Sequence, residues 1–210
     1  MFRRVLLPAC AVLLLTVGIG CTRLQRVQRD LCEPRCRILN IYPERVLPGE
    51  PRKIIVEGEL LSQMPVVVSV NGFESPLVAL NDNFGFFEVR YSSTSRCCVE
   101  YVLPGRKITR CAPLPTTYLT VHDVYTGFTG IVRLMKSMCL DPELVSHVEH
   151  VLSTSYVQIC DDNFEPAYKQ MESLFFYLRD CGKVPDNVAL VVLDLLTFYR
   201  EALLLDLIEP

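Results

Sequence analysis

Residues 38–58 read ILNIYPERVLPGEPRKIIVEG. A short apolar run, Ile38 to Tyr42, stops at Pro43; Pro48-Gly49 follows; a second run, Ile54 to Val56, ends at Gly58. Proline within a strand pattern fixes φ and blocks further edge pairing. Pro-Gly is turn chemistry. Glycine allows a kink where a strand leaves its sheet. The stretch therefore predicts two strands joined by a turn.

The same character continues to residue 121. Val66, Val68 and Val70 alternate with Val67, Ser69 and Asn71, and Asn71-Gly72 supplies a hairpin turn in which both residues tolerate positive φ. Phe87, Val89 and Tyr91 alternate with Glu88 and Arg90. Cys98–Val102, a Pro104-Gly105 turn, Lys107–Cys111 and Thr117–Val121 complete the series. About six or seven short strands at regular spacing predict a β-sandwich.

With those residues in view, Ile38-x-x-Ile41-x-Pro43, Pro48-Gly49, Ile54-x-Val56-x-Gly58 and Val68-x-Val70-Asn71-Gly72 resemble the IPT/TIG family over about residues 37–92. The resemblance implies an immunoglobulin-like, E-set sandwich and a binding role: adhesion, a receptor ectodomain, or a module contacting protein or carbohydrate. It implies no shared catalytic residue.

From residue 122 the apolar period changes to helical. Val124, Phe128, Ile131, Val132 and Met135 form one stripe, and Leu144, Val145, Val148, Val151 and Leu152 a second. Asp141-Pro142 reads as an N-cap with proline in the first turn. Pro166 is expected to open a third helix with Met171, Leu174, Phe175 and Leu178 inside and Gly182 just past its end. Asp186 is expected to cap a fourth, and Val188–Ile208, apolar nearly all round, to be the central helix. Asp194, Arg200, Glu201 and Asp206 interrupt it, which argues against a membrane span. The linker between the halves is placed in Ala112–Asp123, at Pro113 and Pro115.

The N-terminus is not part of this fold. Arg3-Arg4 precedes an apolar run from Val5 to Ile19, with small residues at its end, as in a secretory signal. An uncleaved signal anchor is the alternative. Gly18-Ile19-Gly20-Cys21 resembles a bacterial lipobox, with Gly18 standing where an aliphatic residue is usual; the resemblance implies lipidation of Cys21. Cleavage elsewhere, with Cys21 removed or free, is the other possibility. No Asn-x-Ser/Thr sequon occurs.

Ten cysteines in 210 residues point to an oxidising compartment. Setting aside Cys10 and Cys21 leaves Cys32, Cys36, Cys97, Cys98, Cys111, Cys139, Cys160 and Cys181 as disulfide candidates, an even number that favours lipidation or removal of Cys21. Five lie in or before the strands and three in the helices, so full pairing requires a bridge between the halves. A bridge closing such a loop stabilises by roughly 4 kcal/mol in the chain-entropy account. Cys97-Cys98 are neighbours that face opposite sides of a strand, which favours separate partners over a vicinal bridge. Cys32-x-x-x-Cys36 lacks the redox spacing; zinc held with Cys97 and Cys98 is the alternative to disulfides.

Other chemistry is sparse. The net charge of −3 gives no basic face for nucleic acid. His147-x-x-His150, with Glu143 one turn earlier, could present two imidazoles and a carboxylate to a metal; a solvated helix face is the simpler reading. Asp161-Asp162-Asn163 reads as a polar turn. No nucleophile elbow, zincin motif or phosphate loop is present in the sequence.

These observations predict segregated α+β architecture: a signal peptide over 1–21, an N-terminal segment over 22–36 with Cys32 and Cys36, an immunoglobulin-like sandwich over 37–121, and a helical domain over 122–210. The expected function is that of an exported, non-enzymatic interaction protein, secreted or anchored as a lipoprotein in the outer membrane or periplasm. No cofactor, metal or catalytic residue is assigned, and the partner is a protein or carbohydrate. A secreted viral or pathogen decoy is the alternative, and a hydrolase using His147 or His150 a second one.

Overall fold

In a computed structural model, residues 37–63, 65–70, 73–91, 99–103, 106–110 and 114–209 are described. The signal segment, Cys21, Cys32, Cys36, Asn71-Gly72, Cys97, Cys98 and Cys111 lie outside them. The strands and helices belong to one unit, Cys36–Pro210.

Among the described residues the architecture is α+β, mostly antiparallel strands first and four helices after. The opening phrase supplies β1 (Arg37–Tyr42), β2 (Arg45–Val46) and β3 (Arg52–Glu59). They are followed by β4 (Val67–Val70), β5 (Phe73–Pro76), β6 (Val78–Ala79), β7 (Phe84–Val89), β8 (Val99–Leu103), β9 (Arg106–Arg110), β10 (Leu114–Pro115) and β11 (Leu119–Thr120). A first antiparallel sheet has the order β1-β3-β7-β6 and a second β5-β4-β8-β9. β3 is the heart of the first sheet. Ile54 through Gly58 are buried without alternation, as in a strand covered on both faces. In β7, Phe87 and Val89 are buried, as is Tyr91 beyond it, while Glu88 and Arg90 are exposed. Val70 stands opposite Phe73, so the strands flanking Asn71-Gly72 pair directly.

Two small parallel pairs were not expected. β10 joins β2, and β11 joins a C-terminal strand, β12 (Ile208–Glu209). Both revise the sequence reading. Val121, taken as the end of a strand, opens the first helix. Thr120 Oγ1 accepts from the Asp123 amide, and Asp123 Oδ2 accepts from the Thr120 amide at 2.8 Å, a reciprocal cap that starts the helix there. At the other end, Ile208 leaves the last helix for the strand. The helix stops at Leu204, Asp206 takes a φ of 54°, and the Leu119 amide donates to the Leu207 carbonyl at 2.8 Å.

The helices are α1 (Val121–Ser137), α2 (Pro142–Cys160), α3 (Phe164–Asp180) and α4 (Asp186–Leu204). Asp141 caps α2 through the Glu143 amide at 3.0 Å, with Pro142 at the first position. α3 opens two residues before Pro166, which sits in the first turn, where a missing N–H costs no bond. Gly182, φ +62°, follows its end in the left-handed conformation that closes a helix. α4 buries Val188, Val191, Val192, Leu195, Leu196 and Phe198.

α1 and α4 lie on the first sheet through specific fits. A Cβ on Gly130 of α1 would stand 2.4 Å from Tyr42 Cγ of β1, and one on Gly127 1.6 Å from Tyr199 Oη of α4. Neither position has room for a side chain. The Lys53 amide of β3 donates to Asp194 Oδ2 of α4 at 2.8 Å, and burial pushes that carboxyl up. Arg52 pairs with Glu201 and lies 5.5 Å over the Phe198 ring.

Candidate functional site: two grooves flanking one helix

The site begins with what fixes α1. Glu57 of β3 is one of few buried charged residues among the described ones. Its Oε2 accepts from Tyr42 Oη and from Asn40 Nδ2, both at 2.8 Å, and its Oε1 pairs with Arg133 of α1. A buried carboxylate is tolerated when its lone pairs are met in this way. Burial, and then the bond to Glu57, push the Tyr42 hydroxyl up to about 12. The network ties strand to helix and leaves Arg133 half exposed at the outer end.

That outer end is one edge of a cavity of about 440 Å³ between α1 and α2. α1 contributes Tyr125, Phe128, Thr129, Val132, Arg133 and Lys136, which share a face by helical spacing. α2 contributes Glu149, Leu152, Ser153, Tyr156 and Val157. Phe128, Val132 and Leu152 belong to the core stripes and form the floor. Tyr125 and Val157 stand above it, 51% and 56% exposed. The Tyr125 and Tyr156 rings lie 5.3 Å apart, tilted by 51°. Hydrogen bonding to Cys160 raises the Tyr156 hydroxyl, with burial second. The charges of the rim are already matched: Lys136 meets Glu149 at 2.8 Å, and Arg133 meets Glu57. Such a volume with an apolar lining is within the usual range for a binding site.

A second cavity, about 460 Å³, opens on the other side of α2, against α3. His147 and His150 line it, with the His147 ring edge-on to Tyr177 at 5.0 Å. The structure thus places both histidines of the sequence motif in one groove, although Glu143 is not part of its lining. No group of three or more His, Cys, Asp or Glu gathers to hold a metal among the described residues. Asp161-Asp162-Asn163 is an exposed turn before α3, with Asp162 at φ 56°. Cys139, Cys160 and Cys181 are free thiols at the C-terminal ends of α1, α2 and α3. No described helix is long and apolar enough to cross a membrane.

Sequence reasoning missed the first groove. Its signal is two apolar residues out of phase with their core stripes: Tyr125 directly follows buried Val124, and Val157 falls between Leu152 and Ile159 on the opposite side. Compared with family models, with curated proteins and with solved structures, the chain finds no match.

Proposed function

We propose that this chain is an exported, non-enzymatic binding protein that receives a protein partner on the α1–α2 groove. The observation that carries the reading is the exposure of Tyr125 and Val157 at the mouth of an apolar cavity. Both are large apolar side chains exposed at the rim, of the kind a protein partner covers and a small enclosed ligand does not. Tyrosine is also a residue type enriched at such contacts. The groove's one carboxylate, Glu149, is held by Lys136, which favours recognition over acid–base chemistry.

Export rests on the basic, apolar and small-residue order of the first 21 residues, and anchoring on the lipobox-like Gly20-Cys21. We read the two four-stranded antiparallel sheets as the layers of an immunoglobulin-like sandwich, supported by their strand orders and by the IPT/TIG-like spacing of Pro43, Pro48-Gly49 and Gly58. Cys32, Cys36, Cys97, Cys98 and Cys111 are the candidates for bridges near the strands.

The reading is tested by native sizing of the protein from its producing cell, beside Val157→Asp. The wild type is expected in a complex with a second, different chain, and the variant alone with an unchanged melting temperature. A wild-type protein that runs as a monomer or homodimer, or a complex indifferent to the substitution, overturns it.

A further inference from the structure

The second groove offers a different chemistry, independent of the first. α2 places His147, His150 and Val151 along one face, and α3 places Gln170, Leu174 and Tyr177 opposite. Val151 and Leu174 make an apolar floor; Leu174 is fully buried and Val151 half-buried. The polar groups above them sort by whether they are already engaged. Thr154 Oγ1 donates to the His150 carbonyl at 2.9 Å, and Ser173 Oγ to the Lys169 carbonyl at 2.9 Å. Lys169 Nζ meets Glu165 at 2.5 Å. Gln170 Oε1 accepts from Ser155 Oγ at 3.2 Å, so the part of that amide left to the groove is its N–H₂. The two imidazoles and the Tyr177 hydroxyl make no hydrogen bond among the described residues. What remains for a ligand is therefore two imidazoles, one amide N–H₂ and one phenol. No carboxylate lines the cavity. A site with donors, no acidic group and an apolar floor selects a negative head on a short apolar body.

We propose that the α2–α3 groove binds a small oxyanion, a carboxylate or a phosphate monoester, between His147, His150, Gln170 and Tyr177. A protonated imidazole donates a charge-assisted bond that a neutral ligand cannot exploit. Binding is therefore expected to be favoured by lower pH. The other charged and titratable groups around the pair are Glu143 one turn earlier on α2, Lys169 with Glu165 and Tyr177 on α3, and Lys183 beyond α3, which is paired with Asp141. Lys169 and Lys183 are already matched, by Glu165 and Asp141.

Calorimetry on the full exported protein uses phenyl phosphate, benzoate and benzyl alcohol as probes at pH 6 and pH 8. Saturable binding of either anion is expected, with benzyl alcohol inert and affinity several-fold higher at pH 6. Whichever anion binds tighter identifies the head group. His147→Ala with His150→Ala is expected to weaken it by roughly tenfold or more, the scale of a lost charged hydrogen bond. Both histidines are exposed, so melting temperature checks that the variant folds; shifts of the His147 and His150 ring protons in the wild type on titration give a second readout. Absence of anion binding, equal binding of benzyl alcohol, or affinity unchanged in the double variant overturns the proposal.

Discussion

The two grooves share α2 but differ in their other wall. In the first, α1 is fastened to the sheet by Gly130 under Tyr42 and by Arg133 on Glu57. In the second, α3 packs mainly on α2 and α4 and is held by helix packing. A wall set against a sheet keeps a fixed shape and suits a partner that needs a matched surface. A wall set by helices alone can adjust by small shifts around a small ligand. The contents follow the same division: rings and aliphatic groups with matched charges in one, unengaged donors in the other.

Breaking the fastening should separate the grooves. Gly130→Ala puts a methyl where Tyr42 already stands, and overpacking of this kind costs about 1–3 kcal/mol. Denaturant unfolding should show that loss, and the first groove should fail to hold its partner while oxyanion binding in the second survives. Equal damage to both would remove the distinction. Glu57→Ala should be next in size. It strips Tyr42 and Asn40 of their shared acceptor at a cost of about 2 kcal/mol, discounted because Arg133 is half exposed and regains water.

The same network carries a pH signature. Tyr42 loses its proton near 12 in the folded state and near 10 when unfolded. Its contribution is complete below pH 10 and is lost as pH rises toward 12, by at most about 1.4 kcal/mol per unit. Tyr199, fully buried and also raised, acts in the same direction. Unfolding measured at pH 9, 10 and 11 should steepen with pH, and Tyr42→Phe should flatten the slope by its share. An unchanged slope would mean that burial and Glu57 together do not raise the Tyr42 hydroxyl in solution. Smallest of all, Lys136→Ala should change stability by no more than about 0.5 kcal/mol, because its pair with Glu149 is surface-exposed.

Much of the α+β order was legible in advance. The alternation at Phe87, Val89 and Tyr91, the helical stripes from Val124 onward and the proline and glycine punctuation report local periodicity, which single residues express directly. Three features were not. The helix start at Val121 depended on giving Thr120-x-x-Asp123 more weight than a β-like run. The turn into β12 depended on pairing with Leu119, far away in sequence. The roles of Gly127 and Gly130 depended on tertiary packing, since each admits a tyrosine from another element. The histidine spacing was visible, but its groove required α3, and the first groove required knowing that Tyr125 and Val157 stay exposed among the described residues.

The most direct measurement is photo-crosslinking in the producing cell, with a photoreactive residue at position 157 and, separately, at position 190. Leu190 is 52% exposed and lies on α4, outside both cavities. A partner seated on the α1–α2 groove predicts one discrete adduct with a second protein at 157, absent at 190 and lost when Tyr125→Asp is added. No adduct at 157, or the same adducts at both positions, would contradict it.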